Sequence, residues 1–245
     1  MTDEPILLCE DTGGIRLLTL NRPRQMNALS AALTAEILAA VDAAEADDNV
    51  AVIVMAGNDR AFSAGADLKE AEANKGMGPA AARRHGDASG QLYEIGSRTD
   101  KPIIAAVRGY ALGGGCNLAI SADMVVAGES AIFGYPEVKR GIAATAVTPA
   151  LVHRIAPKAA FELLTLSDNV PAPRALALGM INRVVADDAV LDEAFAMARI
   201  LEGFDREALL MTKRVFRKST ELTLSQALAA AREAALLVRE TKKTA

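Results

Sequence analysis

The chain has 245 residues, enough for one or two domains with a sizeable core. Its 27 Lys and Arg against 31 Asp and Glu give a formal charge of −4, which argues against a nucleic-acid binder with a basic face for phosphates. A hydrophobic fraction of 51% excludes the disordered and fibrous classes, and 4% aromatics with no Trp require an aliphatic core poor in stacking platforms.

Residues 6–10 and 15–20 read as strands joined by Thr12-Gly13-Gly14, a hairpin signal, and Asn21-Arg22-Pro23 ends the second. Ser30 reads as the N-cap of a helix running to about residue 47, with Leu33, Ile37, Leu38 and Val41 on one face. The β-branched run 50–56 predicts a strand buried on both faces. A turn at Gly57-Asn58-Asp59-Arg60 and a small-residue loop over 62–67 lead from it to Leu68-Lys69-Glu70. Stretch 73–79, with Gly76, Gly78 and Pro79, is unpatterned and is expected to be mobile, and a polar helix follows over about 80–98. Pro102 opens a second buried strand at 103–107. Gly109, the run Gly113-Gly114-Gly115, an apolar helix to Ala122 and a third strand at 124–127 come next. Strand, small-residue loop and helix thus recur at 50–69 and 103–122, a weak internal repeat that suggests stacked ββα-like units. From Ala189 the pattern is helical, over 190–201, 206–218 and 224–240. A boundary near Asp187-Asp188 divides a core, 1–188, from a helical region, 189–245, that packs on its own core or on a neighbouring subunit.

Two cysteines, Cys9 and Cys116, supply neither a disulfide framework nor a metal set, and two histidines, His85 and His153, leave little for a His-based metal site. The start, MTDEP, carries no signal-peptide pattern, and the most apolar stretches, 50–56 and 111–120, are too short to span a bilayer. A soluble cytoplasmic protein without metal is expected.

The chemistry centres on Gly113-Gly114-Gly115, which fits neither the dinucleotide fingerprint nor a phosphate loop. Glycines let backbone amides approach a ligand closely, and a helix start leaves amides unpaired, so such a place suits an anion developing on a carbonyl oxygen. A tight strand–helix crossing calls for the same small residues. The loop Ala61-Phe62-Ser63-Ala64-Gly65-Ala66-Asp67 offers a second amide, and Asp67 equally suits a helix cap.

The run Ile104-Ala105-Ala106-Val107-Arg108-Gly109-Tyr110-Ala111-Leu112-Gly113-Gly114-Gly115, continuing to Ala122-Asp123, resembles the signature of the enoyl-CoA hydratase/isomerase (crotonase) superfamily. Supporting matches stand in family order: Asn27-Ala28-Leu29, Phe62-Ser63-Ala64-Gly65-Ala66-Asp67-Leu68-Lys69, Phe133-Gly134-Tyr135-Pro136-Glu137 and Ala177-Leu178-Gly179-Met180-Ile181-Asn182. The resemblance covers roughly residues 6–231. It implies an α/β fold, a crotonase-like spiral of ββα units with a C-terminal helical trimerisation region, assembled as a homotrimer or hexamer. It implies an acyl-CoA thioester as substrate, with coenzyme A entering as part of that substrate, no prosthetic group, and no nucleic-acid or membrane partner. The amides of Ala66 and Gly114 match the family oxyanion hole. Arg24, Ala28, Ala64, Ala66, Asp67, Leu68, Lys69, Gly113 and Gly114 are the positions implied to meet the cofactor portion.

The sequence departs from the family pattern at its acids. Hydratases of the family use two glutamates; the second is Glu137, but the first position is Asn117, which hydrogen-bonds a water without exchanging a proton. One carboxylate suffices to take a proton next to the thioester carbonyl and return it two carbons along, with the hole carrying the enolate charge. Glu137 is therefore assigned as the single acid/base, in need of a raised pKa from an apolar pocket, with Asn117 beside it. The alternatives for Glu137 are a helix cap after Pro136, or a pair with Lys139 or Arg140. After Gly141 the chain reads Ile142-Ala143-Ala144-Thr145-Ala146-Val147-Thr148-Pro149, where many hydratases are Gly-rich, and its methyl groups narrow the space for a water. Thr145 stands where some relatives carry an acid. Double-bond isomerisation of an enoyl-CoA is favoured; hydration and a non-catalytic acyl-CoA binder or scaffold are the alternatives. His85 is expected to face solvent or CoA, and His153 and Arg154 the surface or an interface. Tyr110 and Tyr135 suit either the acyl pocket or the core.

Overall fold

The hairpin β1 (Leu7–Thr12) and β2 (Ile15–Leu20) turns at Gly13-Gly14, and β1 runs two residues further into the turn than its apolar pattern reaches. This computed structural model describes residues 4–74, 76 and 78–244, without the side chains at 79, 81, 82, 84, 85 and 237–244. Lys75 and Met77 in the stretch expected to be mobile, and the side chain of His85, lie outside that description. Ser30 caps α1 (Ala31–Ala46) as its sequence position predicts, its side chain accepting from the Leu33 amide at 3.2 Å. At the other end the buried Lys101 ammonium donates to the Ala44 and Asp47 carbonyls, which also accept the Asp47 and Val50 amides.

Strands β3 (Val52–Ala56), β5 (Ile103–Val107) and β7 (Met124–Gly128) follow β2 in parallel, and β10 (Arg183–Val185) closes a six-stranded sheet. Both faces of β3 and β5 are buried, which is why their sequences run apolar without alternation. Ile53, Met55, Ile103, Ala105 and Val107 face the cluster that includes Leu33, Ile37 and Val41 of α1. Val52, Val54, Ile104 and Ala106 face the opposite way, onto Val190, Ala194, Met197 and Ala198 of α9 (Val190–Glu202). The helix that opens the helical region after Asp187-Asp188 is thus the lid over the second face of this sheet.

Between the long strands the chain lays down a short one each time. These are β4 (Ala61–Ser63), β6 (Tyr110–Leu112) and β8 (Ile132–Gly134), which with β9 (Val170–Pro171) form a second, four-stranded sheet in the order β4-β6-β8-β9. Each strand pair then leads into a helix where the repeat predicts one: α2 (Leu68–Ala73) after β4, α5 (Gly114–Ile120) after β6. The short strands escape sequence reading because two or three residues display no period.

The polar helix splits into α3 (Pro79–Tyr93) and α4 (Ile95–Arg98). The Tyr93 carbonyl that would continue it is taken by Ser121 Oγ at 2.7 Å, and Gly96 lies against the Ser121 carbonyl. Helices α6 (Thr148–Val152), α7 (Pro157–Leu166) and α8 (Ala172–Ala177) fill the stretch before β10. After α9, α10 (Arg206–Glu221) is pinned by the buried Lys213, whose ammonium meets Asp123 at 2.6 Å and the Lys101 carbonyl at 2.7 Å. Along α10 and α11 (Leu224–Thr244), Phe216, Leu224 and Leu228 are exposed. Among the described residues no helix is long and apolar enough to cross a membrane.

Candidate active site

Two small-residue segments meet backbone to backbone beside a half-buried carboxylate. The first, 63–67, is gripped by the segment after β2. Asn27 is fully buried in a left-handed conformation, its Oδ1 accepting from the Arg22 amide and its Nδ2 donating to the Ala61 carbonyl. Ser63 Oγ donates to the Asn27 carbonyl at 2.8 Å and accepts from the Gly65 amide at 3.2 Å. The Ala64 amide donates to Met26, that of Leu29 to Gly65, and that of Asp67 to Leu29. The Arg22 guanidinium ties the Ala28 carbonyl to the Asp67 carboxylate, 2.9 Å away. Asp67 caps α2 through the Lys69 and Glu70 amides. Burial pushes the Asp67 carboxyl up, but Arg22 and the two amides outweigh it and hold it below the usual carboxylate range.

The second segment is the triple glycine, and each member makes room for something different. Gly113 adopts φ 52° and ψ −122°, outside the ordinary left-handed region, and its side-chain position is filled by Glu137 Oε1, 2.5 Å from where a Cβ would lie. The Gly114 position is filled by the Tyr93 hydroxyl at 2.6 Å, and that of Gly115 by the Ser63 carbonyl at 2.3 Å. Gly65, at φ 87°, would set a Cβ 3.2 Å from the Gly114 nitrogen. This packing puts Ala66 and Gly114 on the wall of one cavity, and neither amide donates to an acceptor among the described residues.

The cavity holds about 230 Å³ and is mostly apolar, walled by residues 64–66, Leu68, Tyr93, Gly113, Gly114, Pro136, Glu137, Arg140 and 142–147. Glu137 stands at the N-cap position of the one-turn helix Val138–Arg140 but makes no side-chain capping bond. Lys139 pairs with Asp168 instead of Glu137. Glu137 Oε2 is buried without a hydrogen-bond partner. Burial pushes its carboxyl above the usual range, and its own backbone amide and Arg140 offset this only in part. A buried acceptor left unpaired costs about 1–3 kcal/mol.

Of the positions singled out in the sequence, Ala64, Ala66, Leu68, Gly113, Gly114 and Glu137 converge on this cavity. Asp67 and Ala28 stand behind it as cap and anchor. Arg24 and Lys69 are exposed and do not line it. Asn117 is also apart from it: fully buried, with Nδ2 donating to the Val147 carbonyl at 3.0 Å and Oδ1 accepting from the Tyr135 hydroxyl at 2.8 Å. It ties down the cavity wall 142–147 and presents no free polar atom to the cavity. Tyr135 is a core residue, Tyr110 is exposed on β6, and His153 and Arg154 are exposed after α6. Tyr93 is not singled out in the sequence, and Arg22 is read there only as part of a strand end. One ends a polar helix and the other follows a strand, and neither has a spacing that announces its partner.

A family model described as enoyl-CoA hydratase/isomerase matches residues 10–244. A probable mitochondrial enoyl-CoA hydratase of Dictyostelium discoideum is 40% identical over 218 residues, 89% of this chain and 77% of the relative. The 2,3-dehydroadipyl-CoA hydratase of Escherichia coli (strain K12) is 37% identical, covering 93% of this chain and 88% of its own length. Among solved structures, an enoyl-CoA hydratase from Mycobacterium smegmatis superposes with a TM-score of 0.90 at 34% identity, over 96% of this chain and 91% of that one.

Proposed function

The chain belongs to the enoyl-CoA hydratase/isomerase family, and from that premise we propose that it moves the double bond of an enoyl-CoA from the β,γ to the α,β position, with Glu137 as the only acid/base. Its fold is that of the solved crotonase-type hydratases, and it is an enzyme of the hydratase/isomerase type.

The thioester oxygen accepts from the Ala66 and Gly114 amides. The ionised Glu137 carboxylate takes a proton from the α carbon, the electron pair of that C–H bond spreads through the β,γ double bond, and charge collects on the thioester oxygen. The protonated Glu137 then returns the proton at the γ carbon. Two aimed donors in a dry cavity stabilise the enolate, each by roughly 3 kcal/mol. The raised carboxyl makes the base effective at neutral pH, and the rate falls as pH drops through its raised value.

One observation carries this reading: Glu137 is the single carboxylate among the residues walling the cavity, and Asn117, an amide, is turned away from it onto Val147 and Tyr135. Hydration is the second reading, favoured by the names of the relatives, which are hydratases. Coenzyme A passing near Ala28, Ala64 and Lys69, assembly as a trimer or hexamer through the helices of 189–245, and a cytoplasmic setting complete the proposal. Incubation with 3-enoyl-CoA and with 2-enoyl-CoA, read by chromatographic separation of the isomers followed by mass spectrometry, tests it. Conversion of the first at constant mass is expected. Gain of one water by the second, without conversion of the first, overturns isomerisation in favour of hydration.

A further inference from the structure

Tyr93 ends α3 and lines the cavity. Its hydroxyl has no hydrogen-bond partner among the described residues, and its ring is partly buried against the main core. It lies 2.6 Å from where a Gly114 Cβ would be, so it sits beside the residue whose amide faces the cavity. The placement is rigid, because Ser121 at the far end of α5 holds the Tyr93 carbonyl at 2.7 Å while Gly114 begins the same helix. The hydroxyl opens on the cavity, so its proton is available to an acceptor that enters there. Glu137 Oε2 also lacks a partner in this cavity wall, and the two are not bonded to each other.

We propose that the Tyr93 hydroxyl is a third hydrogen-bond donor to the thioester oxygen, beside the Ala66 and Gly114 amides. The proposal rests on the reading that the cavity takes an acyl-CoA thioester. An oxygen docked on the Gly114 amide sits next to the space this hydroxyl fills. Burial and, after it, the Glu137 charge push the phenol up to about 12, so it stays protonated and serves as a donor rather than a second base. It transfers no proton; its hydrogen bond strengthens as charge moves onto the oxygen it faces. The third donor thereby stabilises the charge that reaches the thioester oxygen as Glu137 takes the α proton.

The test uses acetoacetyl-CoA, a thioester that binds either as ketone or as enolate, distinguished by the enolate's near-ultraviolet absorption. At fixed pH the bound enolate-to-ketone ratio is expected to fall at least about tenfold in Tyr93→Phe, with binding of the probe retained. A ratio within about twofold of the parent value, with the probe bound, overturns the proposal and leaves the acyl-CoA reading standing. If the parent chain takes up no acetoacetyl-CoA, both fall together. Should Tyr93→Phe fail to fold, 3-fluorotyrosine placed at position 93 keeps the hydroxyl and makes it a stronger donor. The ratio must then rise, and an unchanged ratio overturns the assignment.

Discussion

Gly115→Ala is the perturbation that most directly probes how the two amides are spaced. Its new methyl would lie 2.3 Å from the Ser63 carbonyl oxygen and 2.7 Å from Ser63 Oγ, atoms that cannot swing away because Oγ is bonded to Asn27 and the carbonyl belongs to β4. Restoring an ordinary 3.4 Å contact drives α5 and the 63–67 segment about 1 Å apart. Overpacking of this kind costs about 1–3 kcal/mol, or a melting-temperature fall of about 2–12 °C for a chain of this length. The amides of Ala66 and Gly114 move with their segments, so a thioester oxygen no longer reaches both. A misplacement of about 1 Å at a reacting centre costs on the order of 10²-fold in kcat. Gly86→Ala is the control: it lies on the exposed side of α3 with open space around it, and is expected to raise stability by about 0.5–1 kcal/mol without changing kcat. The assay is turnover of enoyl-CoA beside thermal unfolding by circular dichroism. If Gly115→Ala loses the expected stability but keeps kcat within about threefold of the parent, the spacing of the amides does not set the rate and the reasoning fails.

Glu137→Gln is expected to lower kcat by about 10²–10⁴ while acyl-CoA still binds, as measured by turnover and by calorimetric titration. Because the folded state raises the Glu137 carboxyl, ionisation favours unfolding, and stability is lost as pH climbs from the usual Glu range through the raised value. The Gln variant should therefore melt higher than the parent at neutral pH, with the difference vanishing in acid. Asp67 has the opposite sign: its lowered carboxyl contributes stability that is present above the usual Asp range and lost as pH falls through the lowered value. Arg22→Met should shrink that contribution, so parent and variant melting curves converge at low pH and separate at neutral pH. Lys213→Met takes the ammonium from the Lys101 carbonyl and from Asp123, which is exposed and keeps the Ile103 amide, an expected loss of about 1–3 kcal/mol in urea unfolding. Faster amide exchange in α10 than in β5 would locate it.

Much of the spiral was written in local pattern. The continuous apolar runs of β3 and β5, the Ser30 cap and the recurrence of strand, small-residue loop and helix each depend on neighbours in the chain, so they are legible without coordinates. The resemblance likewise pointed to Glu137 and to the two glycine-flanked segments. Asn117 marks the limit of such reading. Its position matches a family acid, but the direction of its side chain depends on a tyrosine hydroxyl and a carbonyl 30 residues away. The roles of Tyr93 and Arg22 were invisible for the same reason: an isolated residue acquires a role only from the partner that the fold brings to it.

By itself, then, the sequence determined which segments are strand, loop or helix over most of the chain, because period, caps and glycines act over a few residues. Tertiary structure decided the short second sheet, the division of work among the three glycines, and which polar atoms are left open to a ligand. Those outcomes depend on contacts across tens of residues, whose free energies come from burial and hydrogen-bond geometry that no local pattern records.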